Sequence, residues 1–169
     1  MTFNIQASLV QPGKGSTYLV LGDFYTLLAE GKDTDGKYGL VEALMQPQST
    51  VPSHIHDGDE AHYILEGEVE YQLDEQTIIA SAGTFLNIPK GQWHGFKNIG
   101  SKPVKLLMWV TPAGGEQFFA EVGHPVNLPL SEEERSLFGT VNPADIEKAI
   151  ALAVTKYGLE FKLPAAENS

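Results

Sequence analysis

Cysteine is absent from this chain of 169 residues. The protein therefore contains no disulfide bond and no thiol nucleophile, and any metal ion that it binds must be held by nitrogen and oxygen ligands. The residues that can supply such ligands are the five histidines and the 22 aspartates and glutamates. The search for a metal site is thus narrowed to three residue types.

Basic residues and long hydrophobic runs are also scarce. The chain has 11 lysines and arginines against 22 acidic residues, a formal net charge of −11. Such a protein is poorly suited to nucleic acid, because phosphate binding depends on clustered basic residues. No apolar stretch approaches the roughly 18 residues that span a bilayer, and residues 1–7 lack the basic and apolar regions of a signal peptide. We therefore expect a cytoplasmic protein with no nucleic-acid partner and no membrane partner.

Short strands separated by turns are predicted from about residue 15 to about residue 112. Residues 68–73 alternate polar and apolar side chains, which predicts a half-buried strand with Val69, Tyr71 and Leu73 facing inward. Turn-forming sequences rich in glycine, proline and aspartate recur at short intervals on both sides of this strand. Many short strands at such spacing favour an all-β sandwich or barrel.

The pattern becomes helical after about residue 112. Asn142 and Pro143 form a helix start, with a capping side chain followed by a first-turn proline. The apolar residues that follow recur at helical spacing. We therefore expect one domain over residues 1–169, with a barrel at about 15–112 and a small helical cap at about 113–160.

Three of the five histidines fall within nine consecutive residues. His54 and His56 point to the same face if they lie on a strand, because side chains alternate along a strand. Glu60 and His62 share a face beyond the next turn, and pairing of the two strands around that turn would bring Glu60 near both imidazoles. A fourth histidine, His94, follows another turn and starts a separate strand.

These residue types can bind a metal ion. Three imidazoles and one carboxylate leave coordination positions open on a divalent ion, and they suit Mn, Fe, Co, Ni or Cu, with Zn also possible. The alternative is that His54 and His56 are a surface pair or a hydrogen-bonded pair in the core. The recurrence of histidine in a second segment favours the metal site.

Two segments together resemble the motifs of the cupin superfamily. In the first, two histidines one residue apart are followed by a glutamate four residues on and a glycine seven beyond it, as in His54, His56, Glu60 and Gly67. The second, separated from the first by 15 residues, is met by Gly83, Pro89, Gly91, His94 and Asn98. Gln48 departs from the pattern, since a glycine is usual there. About residues 15–160 resemble the single-domain, quercetin 2,3-dioxygenase-like group of the superfamily.

The resemblance implies an all-β, jelly-roll-like barrel, the double-stranded β-helix, with one divalent transition metal on His54, His56, Glu60 and His94. It implies that Glu60 is catalytic, as a ligand that releases and accepts the proton of a substrate hydroxyl. The alternative for Glu60 is a fixed structural ligand. The resemblance also implies frequent dimerisation through edge strands, so we expect a homodimer.

Four further side chains are candidates for the substrate pocket. His62 is expected on the inward face, where it contacts a ligand or is hydrogen-bonded to a neighbour. Phe96 is expected to lie on the same face of its strand as His94. Phe118 and Phe119 follow the last predicted barrel strand and either cover the mouth of the pocket or fix a helix to the sheet. His124 lies outside both motifs, and we expect it not to be a ligand.

Three functions fit these residues. The first is a metal-dependent dioxygenase of quercetinase type that acts on a flavonol or a similar enolisable aromatic substrate with dioxygen. The second is a non-oxidative enzyme, an isomerase, cyclase or lyase, that uses the metal as a Lewis acid. The third is a protein that binds a small molecule without turnover. The intact ligand set favours metal chemistry, and fold alone does not choose between the two enzymes.

Overall fold

Twelve strands and four helices build residues 7–162, the part of the chain that the computed structural model describes. In chain order, the strands are β1 (Ser16–Val20), β2 (Asp23–Ala29), β3 (Gly39–Met45), β4 (Thr50–Ile55), β5 (Asp59–Glu66), β6 (Glu68–Leu73), β7 (Gln76–Ser81), β8 (Phe85–Ile88), β9 (His94–Asn98), β10 (Val104–Thr111), β11 (His124–Val126) and β12 (Glu160–Phe161). The helices are α1 (Gly31–Thr34), α2 (Gln117–Val122), α3 (Glu132–Ser136) and α4 (Pro143–Thr155). Among these described residues, no helix is both long enough and apolar enough to cross a membrane. The expected all-β fold with a small C-terminal helical segment is confirmed.

The strands pair in two antiparallel sheets. The first sheet has seven strands in the order β11-β1-β2-β3-β10-β5-β8, and the second has five in the order β12-β4-β9-β6-β7. The chain crosses repeatedly from one sheet to the other, as in a jelly roll, so that β4 of the second sheet lies between β3 and β5 of the first in sequence. This crossing brings residues from β4 and β9 opposite residues from β5.

The hydrophobic core fills the space between the sheets. Val69 and Tyr71 on β6 are fully buried, as their alternation with polar residues predicted. They share the core with Val41 and Ala43 of β3 and with Leu106 of β10. Each large aliphatic side chain buried in this way stabilises the fold by roughly 1.5–3 kcal/mol.

Strand register brings the candidate site residues together from both sheets. On the first sheet, Val110 of β10 pairs with Gly39 on one side and with Glu60 on the other. On the second sheet, His54 of β4 pairs with His94 of β9. A carboxylate from one sheet and two imidazoles from the other therefore enter the same interior region.

Two strands lie beyond the expected barrel boundary at about residue 112. β11 pairs with β1, and β12 pairs with β4, so the sheets include part of the region expected to form only a helical cap. A strand of two or three residues shows too little alternation to be recognised from sequence. The helical segment itself begins as predicted, because the Asn142 side chain accepts a hydrogen bond from the backbone of Ala144 at 3.0 Å.

Gln48 occupies the turn where the family pattern usually has glycine. Its φ is 64°, in the left-handed region that glycine adopts most easily. Its side-chain amide donates hydrogen bonds to the carbonyl oxygens of Ile99 and Gly100, each at 3.2 Å. These two hydrogen bonds stabilise the turn that leads into β4.

Asp23 is a buried carboxylate at the start of β2. It accepts hydrogen bonds from the Ser49 hydroxyl at 2.5 Å and from the backbone amide of Gln46 at 2.9 Å. Burial raises the pKa of Asp23 from 3.8 to about 6, an increase that these hydrogen bonds only partly offset. The folded protein therefore binds a proton at Asp23 more tightly than the unfolded chain does.

Replacing Asp23 with asparagine is expected to flatten the pH dependence of stability. Because the folded pKa is raised, the contribution of Asp23 to the free energy of unfolding is complete below about pH 4 and is lost as the pH rises through about 6. This residue alone then makes the wild type ~1.4 kcal/mol more stable at about pH 5 than at about pH 8. Urea unfolding of both proteins at the two pH values measures the difference, and parallel profiles would contradict it.

Candidate metal centre

Three histidines converge inside the sandwich. His54 lies on β4, His56 lies directly after its end, and His94 begins β9. One ring nitrogen of each histidine lies within 4.8 Å of those of the other two. His54 and His94 are buried, and His56 is half-buried. Three imidazoles at this separation are placed to hold a metal ion.

Hydrogen bonds to the backbone orient each of these imidazoles. The distances from Nδ1 to the carbonyl oxygen are 2.8 Å for His54 and Pro52, 3.0 Å for His56 and Gly58, and 2.9 Å for His94 and Gln92. A carbonyl oxygen can only accept, so each Nδ1 carries the proton and donates it. With the proton on Nδ1, His54 and His94 present the Nε2 lone pair, which is how proteins set the tautomer of a metal-binding histidine. Nε2 of His56 lies 2.9 Å from Oε2 of Glu60, and this contact raises the pKa of His56.

Nε2 of His94 is buried and has no hydrogen-bond partner among residues 7–162. Leaving a buried polar atom unsatisfied costs about 1–3 kcal/mol, and such atoms are uncommon in folded proteins. A metal ion shared with His54 and His56 would satisfy this atom. The unpartnered nitrogen and the set of three imidazoles therefore fit a divalent transition metal.

Glu60 extends from β5 to the same point. Its Oε2 atom lies 2.9 Å from Nε2 of His56 and 3.8 Å from Nε2 of His94. Its Oε1 atom accepts a hydrogen bond from Nε2 of His62. Oε1 faces His62 and Oε2 faces the three-histidine cluster, so any bond from Glu60 to a metal or to a substrate proton would be made through Oε2.

His62 lies behind Glu60 and not on the wall of a pocket. Its side chain is 0% exposed, and its Nδ1 lies 2.7 Å from the hydroxyl of Tyr71. Burial and the charge of Glu60 raise the pKa of Tyr71, so its hydroxyl keeps its proton. His62 is not among the residues that line the cavity. Its two hydrogen bonds agree with the alternative expected from the sequence, a histidine hydrogen-bonded to its neighbours.

Electrostatics favour a neutral imidazole at His54 and an ionised carboxylate at Glu60. Burial, followed by the charge of His94, lowers the pKa of His54 from 6.5 to about 4. Burial by itself would raise the pKa of Glu60, but the charge of His62 and the hydrogen bonds with His56 and His62 bring it well below 4.5. Metal ligands must be deprotonated, so both groups are in the form that a metal requires near neutral pH.

Gly95 allows the two histidine strands to approach closely. It follows His94 on β9, opposite an irregular stretch of β4 between Val51 and His54. A Cβ atom at Gly95 would lie 2.9 Å from both the backbone nitrogen of Ser53 and the carbonyl oxygen of Val51. A larger residue would therefore push β4 away from β9 and separate His54 from His94.

A cavity of about 960 Å³ adjoins the three-histidine site. Small-molecule sites usually measure roughly 300–1,000 Å³, so this cavity can take a ligand of several rings. His54, His56 and Glu60 line part of it, and the remaining wall is mainly apolar. The phenylalanine and tyrosine residues of the wall are Tyr25, Phe96, Phe118, Phe119, Tyr157 and Phe161.

The C-terminal region contributes wall residues that the sequence pattern did not assign to the site. Ile146 and Ile150 of α4 line the cavity, and Ile150 remains 49% exposed. Phe161 of β12 also lines it, with its ring centroid 6.0 Å from that of His54. Helical periodicity predicts an apolar face, but it does not distinguish a face that packs against protein from one that borders a cavity.

Comparison with known proteins matches residues 41–110 to a family described as "Cupin domain". Quercetin 2,3-dioxygenase from Bacillus subtilis (strain 168) is 25% identical over 160 residues, which cover 92% of this chain and 47% of that protein. Polyketide synthase CurC from Streptomyces cyaneus is 33% identical over 94 residues, which cover 54% of this chain and 60% of that protein. The chain thus spans about half the length of the curated relatives it matches.

Solved structures share the fold. An RmlC-like cupin from Shewanella frigidimarina aligns with a TM-score of 0.57 and 16% identity, over 64% of this chain and 93% of that chain. At this identity the likeness concerns the fold alone. The two-sheet sandwich and both motif segments agree with the match of residues 41–110 to the cupin family.

Proposed function

We propose that this protein is a metal-dependent dioxygenase of quercetinase type that acts on a flavonol or a similar enolisable aromatic substrate. The observation that carries the proposal is that three histidines and the Glu60 carboxylate meet beside one large, mainly apolar cavity. Similarity to quercetin 2,3-dioxygenase over 92% of the chain supports it.

A flat aromatic substrate suits the walls of this cavity. Phe118 and Phe119 contact each other edge to face, with an angle of 80° between their rings, and Phe96 lies on β9 beside the histidines. Aromatic ligands pair favourably with such rings through stacked and edge-to-face contacts. We infer that the rings of the substrate contact these phenylalanines while its acidic hydroxyl is directed to Glu60.

Glu60 is the base in this proposal. Its pKa lies well below 4.5, so the carboxylate is ionised near neutral pH. Oε1 is held by His62, and Oε2 faces the histidine cluster, where it can accept the proton of a hydroxyl that enters beside the histidines. Tyr71 fixes His62 from behind, so the direction of Oε2 is set before the substrate arrives.

A divalent transition metal held by His54, His56 and His94 would supply Lewis acidity, which makes a bound hydroxyl more acidic, and open positions for further ligands. Mn, Fe, Co, Ni and Cu suit such nitrogen and oxygen ligands, and Zn is also possible. The protein itself contributes the three imidazoles, the backbone hydrogen bonds that orient them, and a mainly apolar cavity beside them.

Non-oxidative conversion of an aromatic substrate is the second candidate. Its support is the similarity to polyketide synthase CurC, which covers 54% of this chain. In an isomerisation, cyclisation or elimination, Glu60 would remove a proton in the same way, but no dioxygen would be consumed. The requirement for dioxygen therefore separates the two candidates.

The proposal is tested by measuring oxygen uptake with purified protein whose metal content has been determined. Quercetin is supplied in air and, separately, under anaerobic conditions, and substrate loss is compared with dioxygen consumption. We expect the two to match in air and substrate loss to stop without dioxygen. Glu60→Gln preserves the size of the side chain but removes the basic oxygen, so we expect the rate to fall roughly 100-fold or more.

Three results would contradict the proposal that the protein is a dioxygenase. Anaerobic turnover would favour the non-oxidative enzyme. Full activity after complete removal of the metal would exclude both metal-dependent candidates. Binding of substrate without turnover, in air and with metal present, would favour the small-molecule-binding function.

A further inference from the structure

Tyr25 carries a hydroxyl group that the proposed chemistry does not use. The residue lies on β2 in the wall of the cavity, and 5% of its surface is exposed. Within residues 7–162, no side-chain hydrogen bond contributes to the pKa of its hydroxyl, and the residue borders the cavity. Buried hydroxyls are usually hydrogen-bonded, so this one is available to a ligand.

Packing fixes the direction of this hydroxyl. The Tyr25 ring stacks on that of Phe119, with the centroids 4.2 Å apart and an angle of 16° between the planes. The backbone of Tyr25 pairs with Tyr18 of β1 and Ala43 of β3, so the strand is held on both sides. A polar group on a ring held in this way is suited to recognise a ligand, because little freedom is lost on binding.

The surroundings make Tyr25 a hydrogen-bond donor. Burial and the charges of Asp23 and Glu60 raise the pKa of Tyr25 well above 10, so the phenol stays protonated. Asp23 already accepts hydrogen bonds from Ser49 and Gln46. The acceptor for Tyr25 is therefore free to come from a molecule in the cavity.

Tyr25 and Glu60 lie on different strands of the first sheet. β2 is separated from β5 by β3 and β10, which places the two backbones three strand spacings apart, roughly 14 Å along the sheet. The oxygen of a ligand that meets Tyr25 is thus a different atom from the one that meets Glu60. Both side chains line the same cavity, so one molecule of several rings can contact both.

We propose that Tyr25 recognises a second oxygen of the substrate, on a ring remote from the acidic hydroxyl, by donating a hydrogen bond to it. This inference rests on the proposed function and narrows its substrate class. The ligand is a polyoxygenated aromatic of several rings, with one hydroxyl at the histidine site and another oxygen at Tyr25. An aromatic that lacks the remote oxygen fills the cavity but leaves Tyr25 without a partner.

Anaerobic binding to the metal-loaded protein tests this inference without turnover. The probes are quercetin, which carries hydroxyls on its outer rings, and unsubstituted flavonol, which lacks them. Tyr25→Phe keeps the ring that stacks on Phe119, so we expect an unchanged thermal midpoint. We expect the affinity for quercetin to fall roughly 5- to 10-fold and that for flavonol to change less than about twofold. Tyr63→Phe, on the outer face of β5, is the matched control and should affect neither ligand.

An unchanged affinity of Tyr25→Phe for quercetin would overturn the inference while leaving the proposed function in place. An equal loss for both ligands would also overturn it, because it would indicate a change in cavity shape. If the wild type binds neither quercetin nor unsubstituted flavonol, the proposed substrate class is wrong and the inference fails with it. Measuring the wild type with both ligands distinguishes these cases.

Discussion

Replacing His94 with alanine is expected to remove tight metal binding. The substitution deletes one of three imidazole nitrogens that lie within 4.8 Å of one another. Loss of a residue that only supports a metal ligand costs about 10- to 100-fold in affinity, so loss of a direct ligand should cost at least about 100-fold. Metal analysis after purification and titration against a chelator of known affinity measure the change.

His124 supplies the matched control for this experiment. Its Nε2 lies 3.1 Å from a carboxylate oxygen of Asp145, and its side chain is 62% exposed. It is well separated in sequence from both motif segments and belongs to β11 at the edge of the first sheet. We expect His124→Ala to retain metal at the wild-type level. Equal metal content in the two variants would refute the assignment of His94 as a ligand.

Replacing Gly95 with alanine is expected to weaken both the fold and the metal site. The new Cβ would lie 2.9 Å from backbone atoms of Val51 and Ser53, which cannot rotate away as a side chain can. Inserting a methyl group into a packed region costs about 1–3 kcal/mol in the free energy of unfolding. The displacement of β4 would also move His54 away from His94, so we expect metal affinity to fall by roughly tenfold or more in protein that remains folded.

Gly115→Ala tests whether this effect depends on position. A Cβ at Gly115 would meet only side-chain atoms of Val110, the nearest at 3.6 Å, which is an ordinary van der Waals distance. We expect this variant to keep its stability and its metal. Urea unfolding gives the stability of both variants, and chelator titration below the unfolding transition gives their affinities. Wild-type metal affinity in Gly95→Ala would show that the strand spacing does not control the site.

Strand prediction succeeded where the alternation of side chains was long enough to read. Residues 68–73 alternate over a whole strand, and β6 has the predicted bounds with Val69 and Tyr71 fully buried. β11 and β12 were not predicted, because pairing with β1 and β4 stabilises them and their own few residues show no period. Short edge strands depend on the partner that they meet.

The candidate metal ligands could be predicted from the sequence because their spacing follows from two strands joined by one turn. His54, His56 and Glu60 surround one turn, and His94 enters by pairing with β4. The role of His62 was not accessible in the same way. The alternation of side chains along the strand placed it on the inward face with Glu60. Only the position of Tyr71 on the opposite sheet shows that both of its ring nitrogens have hydrogen-bond partners.

Local pattern was sufficient to assign the all-β class, the helical C-terminal segment and the nitrogen and oxygen donors available to a metal, because each depends on residue type and near spacing. Three-dimensional packing decided which side chains share a wall. Tyr25 from β2, Ile150 from α4 and Phe161 from β12 line one cavity with Glu60, although they are far apart in the chain. Side-chain periodicity records the face of an element and carries no information about which distant element that face will meet.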